Sequence, residues 1–213
     1  MKNLIKKYGH AWIFSYFLLY LPWFVHLEKT VTRHYNIMHS ELDDMIPFNE
    51  YFIIPYLLWF VYVAAAVLYF FFANKEEFYR LCTFLFTGMT LFLLICTIYP
   101  NGTDLRSAVD PQKNLCSWLV AWIRQTDTCT NVFPSIHVYN SICAHTAIRK
   151  NETLRKNPWI RYGSLLLAVS ICLSTVFLKQ HSVIDVAGAA LMAIAFYPLA
   201  YAGSTQSERR TAY

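Results

Sequence analysis

The sequence predicts an all-α fold, a bundle of six transmembrane helices in one domain. Three observations predict it. Of 213 residues, 56% are hydrophobic and only 15% charged, with a mean hydropathy of +0.33, whereas a soluble domain carries about 25% charged residues. The apolar residues are gathered into blocks near the length of about 20 residues that a helix needs to cross hydrocarbon. Basic residues fall in alternate connections between those blocks, as expected of segments retained on the cytoplasmic side.

The blocks span residues 11–27, 52–73, 78–98, 135–148, 163–178 and 183–202. The first follows Lys2, Lys6 and Lys7, like the basic region of a signal peptide. Its core is aromatic-rich and no small-residue cleavage site follows, so it reads as a retained span. Lys75 and Arg80 mark the junction of the second and third blocks. The fourth is short and holds Tyr139, Asn140, Ser141 and His145, so one of its faces should meet protein rather than lipid. Arg149, Lys150, Arg155, Lys156 and Arg161 join it to the fifth, and Arg209 and Arg210 follow the sixth. This alternation puts both termini in the cytoplasm and residues 28–51, 100–134 and 179–182 outside. No linker or repeat divides residues 1–213, and a short polar tail begins at about residue 203. The net charge of +5 lies in loops, where it speaks to topology and makes no case for nucleic acid. Membrane lipids are the expected surroundings, and the oligomeric state is not legible.

Two motifs fall on the outer side of this topology: Phe133-Pro134-Ser135-Ile136-His137, and Lys179-Gln180-His181-Ser182-Val183-Ile184-Asp185. Ionisable groups beside hydrocarbon are costly, and their default reading is a functional site. His181 and Asp185 are four residues apart and share a helix face. A carboxylate beside imidazole fixes its tautomer and stabilises the imidazolium, leaving the other nitrogen free to attack. Pro134 suits the first turn of a helix, and Asn131 or Ser135 suits its cap. The donors there can cradle an anion near His137. Lys179 offers a point charge to a phosphate, or simply snorkels at the end of a span. Arg106 follows the turn signal Pro100-Asn101-Gly102. Carried back over the bundle, its guanidinium can grip phosphate oxygens in bidentate fashion; otherwise it is a solvated loop arginine.

Two imidazoles and a carboxylate also make a metal triad, but no H-E-x-x-H or Cys/His cluster accompanies them. No metal or cofactor is expected. Of six cysteines, Cys116 and Cys129 share the outer loop, where a disulfide is permitted but its pairing is not readable. The Trp118–Trp122 stretch reads either as an interfacial amphipathic helix or as one packed on the bundle. Glu41-Leu42-Asp43-Asp44 reads as a cation site or, more plainly, a solvated turn.

Together these motifs resemble the type 2 phosphatidic acid phosphatase superfamily, which includes lipid phosphate phosphatases, sphingolipid head-group synthases and vanadium haloperoxidases. Its Pro-Ser-Gly-His motif is met by Pro134-Ser135-Ile136-His137. Its Ser-Arg-x5-His-x3-Asp motif is met by Ser174-Thr175, His181 and Asp185. Of its Lys-x6-Arg-Pro motif only Arg106 remains, with Tyr99 and Ser107 at the other places. The resemblance covers the chain from about Tyr99 onward. It implies His181 as the nucleophile that forms a phosphohistidine, Asp185 as its orienter and His137 as the acid that protonates the leaving alcohol. Arg106, Lys179 and Ser135 would surround the phosphate. The implied activity is metal-independent hydrolysis of a lipid phosphate at the extracytoplasmic face, most simply of the plasma membrane. Thr175 and Ile136 replace an arginine and a glycine of the motifs. That reduced cation set is similar to the sphingolipid synthase and inositol phosphotransferase branch, which implies transfer of a phospho-head group to a lipid hydroxyl instead. A non-catalytic membrane carrier or a metal-site protein is the reading of another class.

Overall fold

The computed structural model describes residues 7–202. Lys2, Lys6, Arg209, Arg210 and the polar tail expected from residue 203 lie outside the described residues. A 3-10 helix, Gly9–Tyr16, runs into α1 (Phe17–Thr30). The short α2 (Glu41–Met45) precedes α3 (Ile53–Ala73), α4 (Lys75–Ile98) and α5 (Leu115–Thr126). Then come α6 (Ile136–Lys150), α7 (Pro158–Phe177) and α8 (Val183–Tyr201). Two short strands, β1 (Asn36–Ile37) and β2 (Asn101–Gly102), pair in parallel and tie the loop after α1 to the end of α4. The all-α expectation is met.

Local chemistry sets the helix boundaries. A single residue, Asn74, separates α3 from α4, and its side chain accepts from the amides of Glu76 and Glu77. That satisfies donors no helical carbonyl can reach, and the two carboxylates complement the positive end of the helix. Asn157 caps α7 ahead of Pro158, whose missing N–H costs nothing at that position. Ser182 and Asp185 form a reciprocal capping box at the start of α8.

Four helical segments are long and apolar enough to cross a membrane: Glu50–Ala73, Lys75–Ile98, Pro158–Phe177 and Val183–Tyr201. They make this a membrane protein. Two of the six expected spans do not meet that measure. The first opens as 3-10 helix and carries Pro22 inside α1. The fourth, α6, has 15 residues and packs against α3, α4, α7 and α8. Tyr139, Asn140, Ser141, Cys143 and Ala144 are all buried, so α6 is wrapped by protein on more than the one face its polar residues suggested. Large apolar side chains such as Val61, Phe72, Leu166, Leu191 and Ile194 point outward from the flanking helices. An apolar exterior of this extent marks a lipid-facing surface.

The core is aromatic and close-packed around α4 and α6. The Tyr139 ring lies so near Gly88 that a Cβ there would sit 2.1 Å from it, and its hydroxyl donates to the Phe84 carbonyl at 2.6 Å. At one end of the bundle Asn151 donates to Glu77 at 2.7 Å, and His10 Nε2 donates to the Phe71 carbonyl at 3.0 Å. The basic residues Lys75, Arg149 and Lys150 belong to this end. The other end is closed by loops: the Asn49 amide donates to Phe177 at 3.0 Å and the Asn36 amide to Pro100 at 2.9 Å. Both histidine motifs sit at that looped end.

Candidate active site

His181 sits on the tight reversal between α7 and α8. Lys179 takes a left-handed φ of 57°, and the amides of Gln180 and His181 both donate to the Thr175 carbonyl at 3.0 Å. At the position where the resembled motif has an arginine, the backbone of Thr175 therefore anchors the histidine turn. His181 Nδ1 lies 3.3 Å from Asp185 Oδ2, and the same oxygen accepts from the Ser182 amide at 2.9 Å. Asp185 is fully buried. With Nδ1 as the donor to the carboxylate, Nε2 keeps its lone pair for an electrophile.

His137 is the second residue of α6. Its ring centroid is 5.6 Å from that of His181, at an interplanar angle of 61°. Tyr56 and Trp59 of α3 pack on it at 4.6 and 4.4 Å, and its Nδ1 is buried without a partner among the described residues. Ser135 caps α6, accepting from the Val138 amide at 3.5 Å. Its own amide donates to the Asp185 carbonyl at 3.2 Å, so the two histidine helices are tied at their starts. Pro134 precedes the cap instead of opening the first turn, and its peptide bond with Phe133 is cis.

Arg106 arrives from the loop after β2. Nη1 donates to the Asp127 carbonyl at 2.7 Å and Nη2 to the Thr128 carbonyl at 2.6 Å, while Asp127 Oδ2 lies 3.9 Å away. Its Nε is buried and without a partner among the described residues. Backbone carbonyls thus occupy part of the guanidinium fork expected to face phosphate. Tyr56 donates its hydroxyl to Asp127 at 2.8 Å, which links the Arg106 arm to the ring packed on His137.

His137, His181 and Arg106 line one cleft, together with Gln180, Asn131 and Glu28. Asp185 stands behind His181. Ser135 is fully buried and does not line the cleft. Lys179 does not line it either: its ammonium donates to the Asp43 carbonyl. This corrects its expected place beside the phosphate, because a backbone acceptor 136 residues away claims the side chain first.

Asp43 itself departs from the solvated turn its sequence suggested. It is 2% exposed and accepts at Oδ2 from Ser182 Oγ at 2.5 Å and from the Ser40 amide at 2.8 Å. Its Oδ1 accepts from the Val183 amide at 2.8 Å. Arg124 also went unread. It sits in the last turn of α5 and bridges the Ser107 and Leu178 carbonyls at 2.6 and 3.0 Å. Burial, then the neighbouring Arg106, pushes its pKa down to about 10. Its only sequence signal was a basic residue closing an amphipathic stretch. That helix buries Val120 and Ile123 while Trp118 and Trp122 face outward. Cys116 and Cys129 are both free thiols. Among the described residues, no group of three or more His, Cys, Asp or Glu side chains is placed to hold a metal ion.

Among curated proteins and solved structures, nothing matches the chain. Residues 107–209 match the model of the PAP2 superfamily. The match begins one residue after Arg106 and takes in both histidine helices and the turn that holds His181. This segment is similar to the PAP2 superfamily, whose members are generally phosphatases and phosphotransferases.

Proposed function

We propose that this protein removes phosphate from a lipid phosphate through a phosphohistidine at His181, without a metal ion. The observation that carries the reading is the His181–Asp185 pair at 3.3 Å with the His137 ring 5.6 Å across the same cleft. His181 Nε2 attacks phosphorus while the bond to the lipid oxygen breaks, and His137 delivers a proton to that oxygen. A water then attacks phosphorus, His137 takes its proton, and His181 is released. Asp185 steadies the imidazolium that forms in the first step. Arg106 meets the charge that spreads over the equatorial oxygens.

The six-span topology belongs to this proposal, with α1 and α6 crossing beside the four longer segments. Both termini would face the cytoplasm, and the cleft would open on the outer face of the plasma membrane. Lys75, Arg149 and Lys150 at the end opposite the cleft support it. A second reading, transfer of the phospho-group to a lipid hydroxyl in place of water, is supported by Arg106 being the single cation that lines the cleft among the described residues, the feature similar to the synthase branch. Product analysis with and without an alcohol acceptor separates the two.

The test is direct. Protein incubated with lipid phosphate and quenched in base should carry a base-stable, acid-labile phosphoryl group on His181, located by mass spectrometry. His181→Ala should lose both label and turnover. Rapid turnover by that variant would sink nucleophilic catalysis at this position, and an intact function of another kind would favour a carrier.

A further inference from the structure

The cleft is poor in positive charge. Arg106 is the one cation among the described residues that line it, and it shares the lining with the carboxylates of Glu28 and Asp127. Lys179 is bound to Asp43, and Arg124 to the Ser107 and Leu178 carbonyls. Asp127, 3.9 Å from Arg106, offsets part of the charge that remains. Glu28, near the end of α1, accepts from Thr128 Oγ1 at 2.6 Å and from Asn131 Nδ2 at 2.7 Å. The Thr128 carbonyl takes the bond from Arg106 Nη2, so guanidinium and carboxylate flank the same residue. A bare phosphate dianion would enter this cleft against an excess of its own sign, which opposes binding.

A second observation is independent of that charge count. Gln180 is 1% exposed, lines the cleft, and has neither amide atom partnered among the described residues. Asn131, at 6% exposure, lines it with an unpartnered Oδ1. Buried polar atoms are rarely left unpaired, and a cleft that holds several calls for a ligand to pair them. Gln180 Nε2 and Arg106 Nε offer donors. Gln180 Oε1, Asn131 Oδ1 and Glu28 offer acceptors, which phosphate oxygens do not satisfy. An N–H donor does, and the carboxylate selects a positively charged one.

We infer that this site takes the phosphate ester of an amino alcohol, with the phosphate toward Arg106 and the histidines and the ammonium toward Glu28 and Asn131. The inference rests on the phosphohistidine reading above. That chemistry has two lipid sources. In a phosphorylated long-chain base the ammonium leaves with the lipid alcohol; in a phosphodiester lipid with an amino-alcohol head group it stays with the phosphoryl group. Either way the His181 Nε2–phosphorus bond forms as the phosphorus–oxygen bond to the lipid breaks, and a proton passes from His137 to the lipid oxygen. Water then adds to phosphorus, frees His181 and returns a proton to His137.

Two matched pairs of substrates test it with the full chain in vesicles. One is sphingosine 1-phosphate against ceramide 1-phosphate, in which acylation removes the ammonium. The other is phosphatidylethanolamine against phosphatidylglycerol. In at least one pair the ammonium lipid should be favoured in kcat/KM by about tenfold or more, as expected for a desolvated charge pair, and that pair names the source. Glu28→Gln should abolish the ratio and Glu28→Asp should keep it. Because a ratio is read within one preparation, partial misfolding of a variant does not mimic the result. Equal or reversed preference in both pairs, or an unchanged ratio in Glu28→Gln, overturns the inference. If His181 is phosphorylated by phosphatidic acid but the ammonium lipids gain nothing, the inference fails alone. If His181 is never phosphorylated, the reading beneath it fails as well.

Discussion

A histidine that attacks phosphorus needs one nitrogen held and the other free, and two carboxylates arrange this. Asp185 touches the ring of His181. Asp43 never does; it holds Ser182 Oγ and the Val183 amide on the residues that follow, and its carbonyl holds Lys179 just before. The turn that presents the ring is thus gripped on both sides by one residue of the distant helix α2. Hydrogen bonds to a charged group contribute about 1.5–3 kcal/mol each. Asp43→Asn keeps the shape and loses the charge, so kcat should fall by about tenfold or more while KM changes little. Folding, followed by circular dichroism, should survive. A rise in KM in Asp43→Asn, with kcat unchanged, would show that the residue serves substrate binding instead. Legibility at this scale was uneven for a physical reason. The His181–Asp185 pair is local, fixed by helix geometry, and was readable as a spacing. Lys179 was misplaced, Asn131 was read only as a candidate cap and Glu28 was missed, because their partners lie more than a hundred residues away in sequence, where no periodicity reaches.

At the scale of elements, α2 acts as a strap laid over the His181 turn, and His39 fastens its beginning. Nδ1 of His39 lies 3.1 Å from Asp104 and Nε2 lies 3.2 Å from Asp44, joining the strap to the loop that carries Arg106. The bond to Asp104, then that to Asp44, raises the His39 pKa above its ordinary value of 6.5. A pKa raised in the folded state means that protonation favours folding. The contribution is complete below pH 6.5 and fades as pH climbs through the raised value. Amide exchange in residues 40–46 should therefore quicken across that window beyond the ordinary rise in the intrinsic exchange rate, and His39→Gln should remove the extra step. The same protection curve in both proteins would show that the latch carries no weight. The helices themselves were largely legible, since α3, α4, α7 and α8 announce themselves by length and apolarity. The α6 helix was harder. Its polar residues predicted one protein-facing side, whereas four neighbouring helices surround it, an arrangement set by packing such as the Tyr139 ring over Gly88.

Across the whole molecule, one group of basic residues and the cleft lie at opposite ends of the bundle. Lys75, Arg149 and Lys150 gather where Asn151 meets Glu77, while the cleft, α2 and α5 occupy the looped end. That sorting was readable because retention of basic residues acts on loops, whatever the helices between them pack against. The span count was less readable: a helix shielded by its neighbours need not be long or apolar, so α6 can cross without passing for a span by composition. Two single cysteines decide the topology. Ala108 is exposed in the loop between β2 and α5, and Glu152 is exposed in the connection after α6. With Cys116 and Cys129 replaced by alanine to silence the looped end, a membrane-impermeant maleimide added to intact cells should label Ala108→Cys. Glu152→Cys should react only after the membrane is opened. If the chain crossed only through the four longer segments, with α1 and α6 lying off the membrane, both termini would still share one side. Residues 108 and 152 would then fall on the same side too, because α6 would no longer separate them. Matching accessibility of the two sites would therefore overturn the six-span arrangement, and labelling of Glu152→Cys alone would invert it.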